Sequence, residues 1–255
     1  MTDRIVLCMK WGTLYPAEYV NVLYNAVRAH LPGPFRFICL TGEADGLAAG
    51  IEVFPIPEIG LEARHYADGA WPKIGVFSAD LHGLRGRALF IDLDSVICGD
   101  LGALFELPGR LLAIDNAPWR EGGSPRLMSS VFAFDLGSLP EVVARLQADR
   151  DVLVAAHGIE QVYLQAAVPD AGFWPPGWIV SFKHHLRQPI GLDRLRPPRR
   201  PPEGARIVAF HGRPRPIELI RPGRARWERF PHYGRGPVRW MQDYWQRHGG
   251  RIDTG

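Results

Sequence analysis

The first hundred residues alternate short, apolar, β-prone runs with amphipathic helical stretches, and this alternation restricts the chain to an α/β architecture. Arg4–Met9 reads as the first strand. Pro16–Leu31 carries Val20, Leu23, Tyr24, Val27 and Leu31 at helical spacing, and Pro32–Gly33–Pro34 stops that helix. Phe35–Leu40 and Ile51–Phe54 read as strands. Lys73–Leu84 reads as a helix with Ile74, Phe77, Leu81 and Leu84 on one face, and Ala88–Ile91 as a short buried strand. Leu111–Asp115 and Val131–Asp135 extend the sheet. A helix is expected from Ser138, where Ser138 and Glu141 form a capping-box pattern. Ile159–Ala167 reads as helix, and Ile179–Phe182 and Ile207–Phe210 as late strands. The expected fold is a doubly wound α/β sheet.

Composition narrows the function classes. With 255 residues, 46% hydrophobic and 22% charged, the chain can bury a sizeable core and is neither disordered nor fibrous. A net charge of +3 does not call for a nucleic-acid partner. No run approaches ~18 consecutive apolar residues, so no transmembrane span is expected. Met1–Met9 carries Asp3 and Arg4 ahead of its apolar run and does not read as a signal peptide. Cys8, Cys39 and Cys98 lie in apolar stretches and read as buried thiols of a reducing cytoplasm, with no disulfide framework. Of thirty basic residues only Lys10, Lys73 and Lys183 are lysine. Codon bias is the plain cause, yet each falls in a segment singled out below.

The most specific motif is Phe90–Val96, FIDLDSV. Two carboxylates two residues apart at the end of an apolar strand project to one side. Such hard oxygen ligands suit Mg²⁺ or Mn²⁺. The carboxyl end of a strand in an open α/β sheet is also where ligands bind. One reading is a haloacid-dehalogenase-like phosphatase with Asp92 as nucleophile. Its motif belongs near the start of the chain, however, and the downstream acids Asp135, Asp149, Asp151, Asp170 and Asp193 do not form its second metal-binding pair.

A longer set of segments resembles bacterial GT-A glycosyltransferases, closest to the family 8 group of retaining enzymes. The matching segments are Cys8–Asn21, Trp71–Phe77, Leu89–Leu101, Ser129–Asp135, Glu160–Gln161, Phe173–Lys183 and Phe210–Pro216, in the family's order. The resemblance implies a GT-A-like doubly wound mixed sheet and a nucleotide-sugar donor, UDP-linked, whose diphosphate is held by a metal on Asp92 and Asp94. It implies that Lys10, Trp11 and Tyr15 cradle the base and ribose, and that Lys73 reaches the donor near the metal. Ser129 and Ser130 stand in the family's Asn-Ser-Gly segment, with Met128 in place of the Asn. Glu160 and Gln161 are the implied contacts to the donor sugar or reaction centre, with Lys183 beside them as a catalytic candidate. His211 is expected as the third metal ligand. It lies two residues later than the family's His, whose position here is Ala209, and a two-residue step in an extended chain returns a side chain to the same face. Gly212 and Arg215 are expected at the diphosphate, Arg215 replacing the family's Lys.

The implied function is a metal-dependent retaining glycosyltransferase with a glycan or lipid-linked acceptor. A non-catalytic nucleotide-sugar binder is the alternative, given Met128. The expected organisation is a catalytic domain over residues 1–216 and a C-terminal extension over residues 217–255. Arg196–Pro202, RPPRRPP, reads as a surface loop, and Val238–His248 as a short helix. The extension interleaves Arg with Trp227, Phe230, Tyr233, Trp240, Tyr244 and Trp245. Either these aromatics pack inward on the domain, or the segment makes peripheral contact with an anionic membrane surface. The expected location is cytoplasmic, with the inner face of the membrane as the variant of that second reading.

Overall fold

A computed structural model describes residues 4–119, 126–220, 227–228 and 230–252, so parts of the expected extension, 221–226, 229 and 253–255, lie outside the described residues. The strands, in chain order, are β1 (Arg4–Lys10), β2 (Arg36–Thr41), β3 (Glu52–Phe54), β4 (Arg87–Ile91), β5 (Val96–Ile97), β6 (Leu111–Asp115), β7 (Leu127–Asp135), β8 (Gly172–Phe173), β9 (Ile179–Ser181) and β10 (Ile207–Ala209). Contacts divide the chain into two compact units that alternate along the sequence. One comprises Met1–Pro16, Gly33–Asp92 and Gly102–Trp174; the other comprises Ala17–Pro32, Leu93–Leu101 and Pro175–Gly255. These units are not the segments 1–216 and 217–255 of the sequence reading.

The first unit holds a seven-stranded mixed sheet in the order β3-β2-β1-β4-β7-β6-β8. Pairing is parallel except on both sides of β7, which runs antiparallel to β4 and β6. The continuous apolar character of β1 and β4 follows from burial on both faces, for every residue from Ile5 to Lys10 and from Arg87 to Ile91 is buried. Ring contacts consolidate the core: Phe90 stacks on Phe132 at 4.7 Å, and Phe77 packs tilted against Phe134 at 4.7 Å. Burying each such ring contributes about 2–3 kcal/mol. Cys8 and Cys39 face each other in register on β1 and β2 and are wholly buried; Cys98 is only half-buried.

Two helix expectations need correction. The stretch from Lys73 to Leu84 is a 3₁₀ helix over Trp71–Phe77 followed by turns. Pro72 starts it, and Gly75 lies so close to Pro57 that an added Cβ would stand 3.2 Å from the proline ring. Every residue of Trp71–Phe77 is buried, so there is no solvent face for an amphipathic α-helix to present. The second concerns Ser138, which does not cap a helix. Its N–H closes a turn onto Asp135 O, and the helix runs over Pro140–Ala148 with Pro140 in its first turn. Glu160–Ala167 is helical, and a helix over Arg150–His157 precedes it. β7 begins four residues earlier than expected, so Met128–Ser129–Ser130 is strand.

The second unit holds a three-stranded sheet in the order β5-β10-β9, with β10 antiparallel to β5 and parallel to β9. Helix Ala17–His30 belongs to this unit and meets the C-terminal helix Arg239–Arg247, where Tyr19 and Trp245 pack edge to face at 4.8 Å. The Tyr244 hydroxyl accepts a hydrogen bond from Ile97 N at 3.2 Å. Trp227, Trp240, Tyr244 and Trp245 are thus buried inward, and of the six aromatics of the extension only Phe230 stands fully exposed. The segment 196–202 forms neither helix nor strand. Among the described residues no helix is long and apolar enough to cross a membrane.

Candidate active site

β4 ends at Ile91, and Asp92 follows at its carboxyl edge, its N–H still pairing with Ser130 O of β7 at 2.8 Å. Leu93 and Asp94 form a turn. Strand alternation therefore does not extend through the Asp-x-Asp run, and the expected same-face argument fails for that reason. Asp92 belongs to the first unit and Asp94 to the second.

Within the first unit Lys73 meets three of the expected site residues, Asp92, Glu160 and Ser129. Lys73 comes from the buried 3₁₀ turn, and its Nζ lies 2.7 Å from Asp92 Oδ1 and 2.8 Å from Oδ2. The same ammonium is 3.7 Å from Glu160 Oε1 and donates to Ser129 O at 3.4 Å. The Ser129 hydroxyl donates a short hydrogen bond to Glu160 Oε1. The side chains of Lys73 and Glu160 are almost wholly buried, whereas that of Asp92 is 21% exposed.

Local backbone chemistry sets this geometry. Gly69 has φ +80°, and a Cβ there would stand 2.7 Å from Trp71 Nε1 and 2.8 Å from Gly158 O. Gly69 O in turn accepts from Glu160 N at 3.0 Å, which fixes the first turn of helix Glu160–Ala167 against the Lys73 turn. Burial pushes the Glu160 carboxyl above its ordinary value, and the nearby Asp92 charge adds to that. The Lys73 ammonium and the Ser129 hydroxyl oppose it. The cluster holds two carboxylates against one ammonium, so an added cation is electrostatically welcome.

Other expected residues of this unit are placed separately. Lys10 Nζ donates to Glu43 Oε2 at 2.8 Å, and this ion pair holds the Glu43 carboxyl below its usual range. Trp11 is half-buried against the core, its indole N–H donating to Tyr66 O at 2.8 Å. None of these contacts joins Lys10 or Trp11 to the Lys73 cluster. Tyr15 and Gln161 are half-buried, and Ser130 is buried.

The second unit gathers Lys183, His211 and Gly212. β10 ends at Ala209, so His211 lies beyond the strand and the two-residue register argument does not reach it. His211 Nε2 shares a 2.8 Å hydrogen bond with Ser181 Oγ, and its ring stacks on His184 at 5.8 Å. Lys183 Nζ would lie 3.6 Å from a Cβ on Gly212. Burial and the Arg187 charge lower the Lys183 ammonium, and Glu228 opposes them. His184 is lowered by burial first, then by His185, Arg187 and Lys183. Arg215 N donates to Glu218 Oε2 at 2.9 Å. Sequence reasoning missed Ser181, His184 and the Arg187–Glu228 ion pair at 2.7 Å; only the adjacent His184–His185 signalled anything there. Among the described residues no group of three or more His, Cys, Asp and Glu side chains stands together to hold a metal ion.

The architecture that carries these residues is the mixed α/β sheet of GT-A glycosyltransferases. Over 96% of this chain and 95% of the other, it matches the galactosyltransferase LgtC, solved with donor and acceptor sugar analogs, at TM-score 0.59 and 14% identity. It also matches the glycosyltransferase GlyE of Streptococcus pneumoniae TIGR4 (TM-score 0.58, 12% identity, 98% of this chain and 62% of that chain). The bifunctional glycosyltransferase WbbM matches as well (TM-score 0.61, 14% identity, 97% of this chain and 50% of that chain). No protein-family model and no curated protein matches the sequence.

Proposed function

We propose that the chain is a glycosyltransferase that moves a sugar from a nucleotide-diphosphate donor, UDP-linked, to a glycan or lipid-linked acceptor with retention of configuration. The observation that carries this reading is the buried Lys73–Asp92–Glu160–Ser129 constellation at the carboxyl edge of the sheet, the edge at which open α/β sheets bind ligands. Catalysis of this kind needs stabilisation of the negative charge that develops on a departing nucleoside diphosphate. Residues 1–216 are proposed as the catalytic part, in the cytoplasm.

The individual donors, carboxylate oxygens and an imidazole, are of the kind that Mn²⁺ or Mg²⁺ accepts. Asp92 remains partly exposed, and one ammonium does not exhaust the four lone-pair sites of its carboxylate. His211 is oriented by Ser181, the kind of support a ligating imidazole has. Asp92 in the first unit, and Asp94 and His211 in the second, are each proposed as ligands, and a bound ion would neutralise diphosphate charge. Lys73 holds the Asp92 carboxylate in place. Glu160 and Gln161 would meet hydroxyls of the donor sugar, with Ser129 fixing the Glu160 carboxyl and Ser130 the Asp92 backbone. Lys183, Gly212 and Arg215 would face the diphosphate, and Lys10, Trp11 and Tyr15 the base and ribose.

Thermal shift with UDP, with and without Mn²⁺, followed by UDP-sugar hydrolysis, tests the reading. Mn²⁺-dependent stabilisation that disappears in Asp92→Asn and Asp94→Asn, with donor hydrolysis by the wild type, supports it. Binding without turnover leaves a nucleotide-sugar binder. Turnover of an aryl phosphate would replace it with the phosphatase reading.

A further inference from the structure

Two loops of the second unit share one surface patch. The loop 187–202 carries Arg187, Arg194, Arg196, Arg199 and Arg200 with a single acid, Asp193. That acid is turned inward: it is buried, its Oδ2 lies 3.2 Å from His232 Nδ1, and its Oδ1 accepts from Gly191 N. Arg187 is neutralised by Glu228 at 2.7 Å. The Arg194 guanidinium lies over the Tyr233 ring at 4.6 Å, and Tyr233 packs edge to face with Phe230 at 6.1 Å. These contacts bring the loop 187–202 and residues 230–233 together.

At the tips of this patch stand three large apolar side chains open to solvent: Leu195 is 82% exposed, Phe230 80% and Ile190 64%. Around them Arg194, Arg196, Arg199 and Arg200 are exposed. Among the described residues no carboxylate lies within ion-pairing distance of Arg196 or Arg199, and Asp243 reaches Arg200 only at 4.0 Å. Isolated exposed apolar residues are ordinary, but three of them on a loop patch rich in exposed guanidinium groups, of which Arg196 and Arg199 have no carboxylate partner among the described residues, are complementary to one kind of surface. A bilayer carrying anionic phospholipid offers phosphates for arginine forks at the level where short apolar side chains enter the headgroup boundary.

We propose that this face, tipped by Ile190, Leu195 and Phe230 and ringed by Arg194, Arg196, Arg199 and Arg200, docks the protein peripherally on an anionic phospholipid surface. Its residues are distinct from those of the candidate active site, and the proposal does not depend on what that site does. It replaces Trp227, Trp240, Tyr244 and Trp245 of the extension as the membrane-facing set, because those are buried within the unit.

Co-sedimentation of the full chain, with no sugar nucleotide present, tests it on vesicles of phosphatidylcholine alone and of phosphatidylcholine with 30% phosphatidylglycerol. The expected result is pelleting with the anionic vesicles only, weakened at least tenfold in Leu195→Ser/Phe230→Ser and again in Arg196→Gln/Arg199→Gln. Circular dichroism checks that each variant is folded, and these exposed positions are chosen so that it is. Loss of pelleting with 20 mM inorganic phosphate at constant ionic strength would show a free-phosphate site instead and overturn the proposal. So would equal pelleting of all variants, absence of pelleting by the wild type, or a wild-type dimer in solution that the Leu195→Ser/Phe230→Ser variant breaks.

Discussion

Glu160 and Lys73 approach to 3.7 Å with both side chains almost wholly buried, and the same ammonium serves Asp92 at 2.7 Å. One cation thus compensates two carboxylates at the edge of the sheet, and removing the ammonium leaves both without a partner charge in a poorly solvated place.

Lys73→Met is therefore expected to destabilise the fold by about 2–4 kcal/mol at pH 7, toward the lower end of a broken buried pair because Asp92 keeps some water. Urea unfolding measures this. A change smaller than about 0.5 kcal/mol, the size of ordinary surface effects, would show the pair to be energetically idle.

Glu160 gives a pH dependence of defined sign. Its folded carboxyl titrates above its unfolded value, so between the two the native state holds a proton that the unfolded chain has released. Stability contributed there is present at low pH and lost as pH rises through the folded value. Glu160→Gln is expected to flatten that fall in urea titrations from pH 4.5 to 8; an unchanged slope would place the dependence elsewhere.

His248 acts in the opposite direction. Burial, then His30 and Arg247, lower its imidazole to about 4. The unfolded chain takes up this proton near pH 6.5 and the native state does not, so stability is full above that pH and falls as the pH drops toward 4. The loss expected is about 1–3 kcal/mol. His248→Phe keeps a ring beside Tyr244, 4.7 Å away in the wild type, and removes this arm of the profile. Melting temperature against pH reports it.

His211→Ala is expected to weaken Mn²⁺-dependent UDP binding at least tenfold, about 1.4 kcal/mol, by calorimetric titration. Unaltered metal dependence would leave Asp92 and Asp94 as the only ligands drawn from the proposed three. Ala209 is wholly buried in β10, so substitutions there are expected to act through packing alone.

Gly99→Ala tests a close approach in the second unit. An added Cβ would stand 2.5 Å from Ala205 O, beside the paired hydrogen bonds from Cys98 N and Gly99 N to Arg206 O. A cost of about 1–3 kcal/mol is expected, whereas Gly42→Ala, with open space around it, is expected to stay within about 0.5 kcal/mol. Equal melting temperatures for the two variants would contradict this.

How much of this could be read from the chain depended on whether the determining contact was local. β1, β2, β4 and β6 announce themselves because strands buried on both faces must be apolar throughout. Trp71–Phe77 misled for the converse reason: burial on all sides erases the periodicity that separates an α-helix from a tighter turn. Lys73, Asp92 and Glu160 were legible as site candidates through the motifs around them. Their meeting was not, since Ser129 and Glu160 lie 31 residues apart in the chain. Arg187 and Glu228, 41 residues apart, carry no motif at all, and nothing in either segment names its partner.

The alternation of the two units along the chain has a practical corollary for dissecting the protein. Helix Ala17–His30 sits early in the sequence but rests on Trp245, and Ile97 relies on Tyr244 for its backbone partner. Deleting the last forty or so residues, about one-sixth of the 255, would strip the support from an element near the beginning of the chain. A shortened protein that lost activity or lipid binding would then be reporting a failure of folding. The parts of this chain are separable by point substitution and not by scissors.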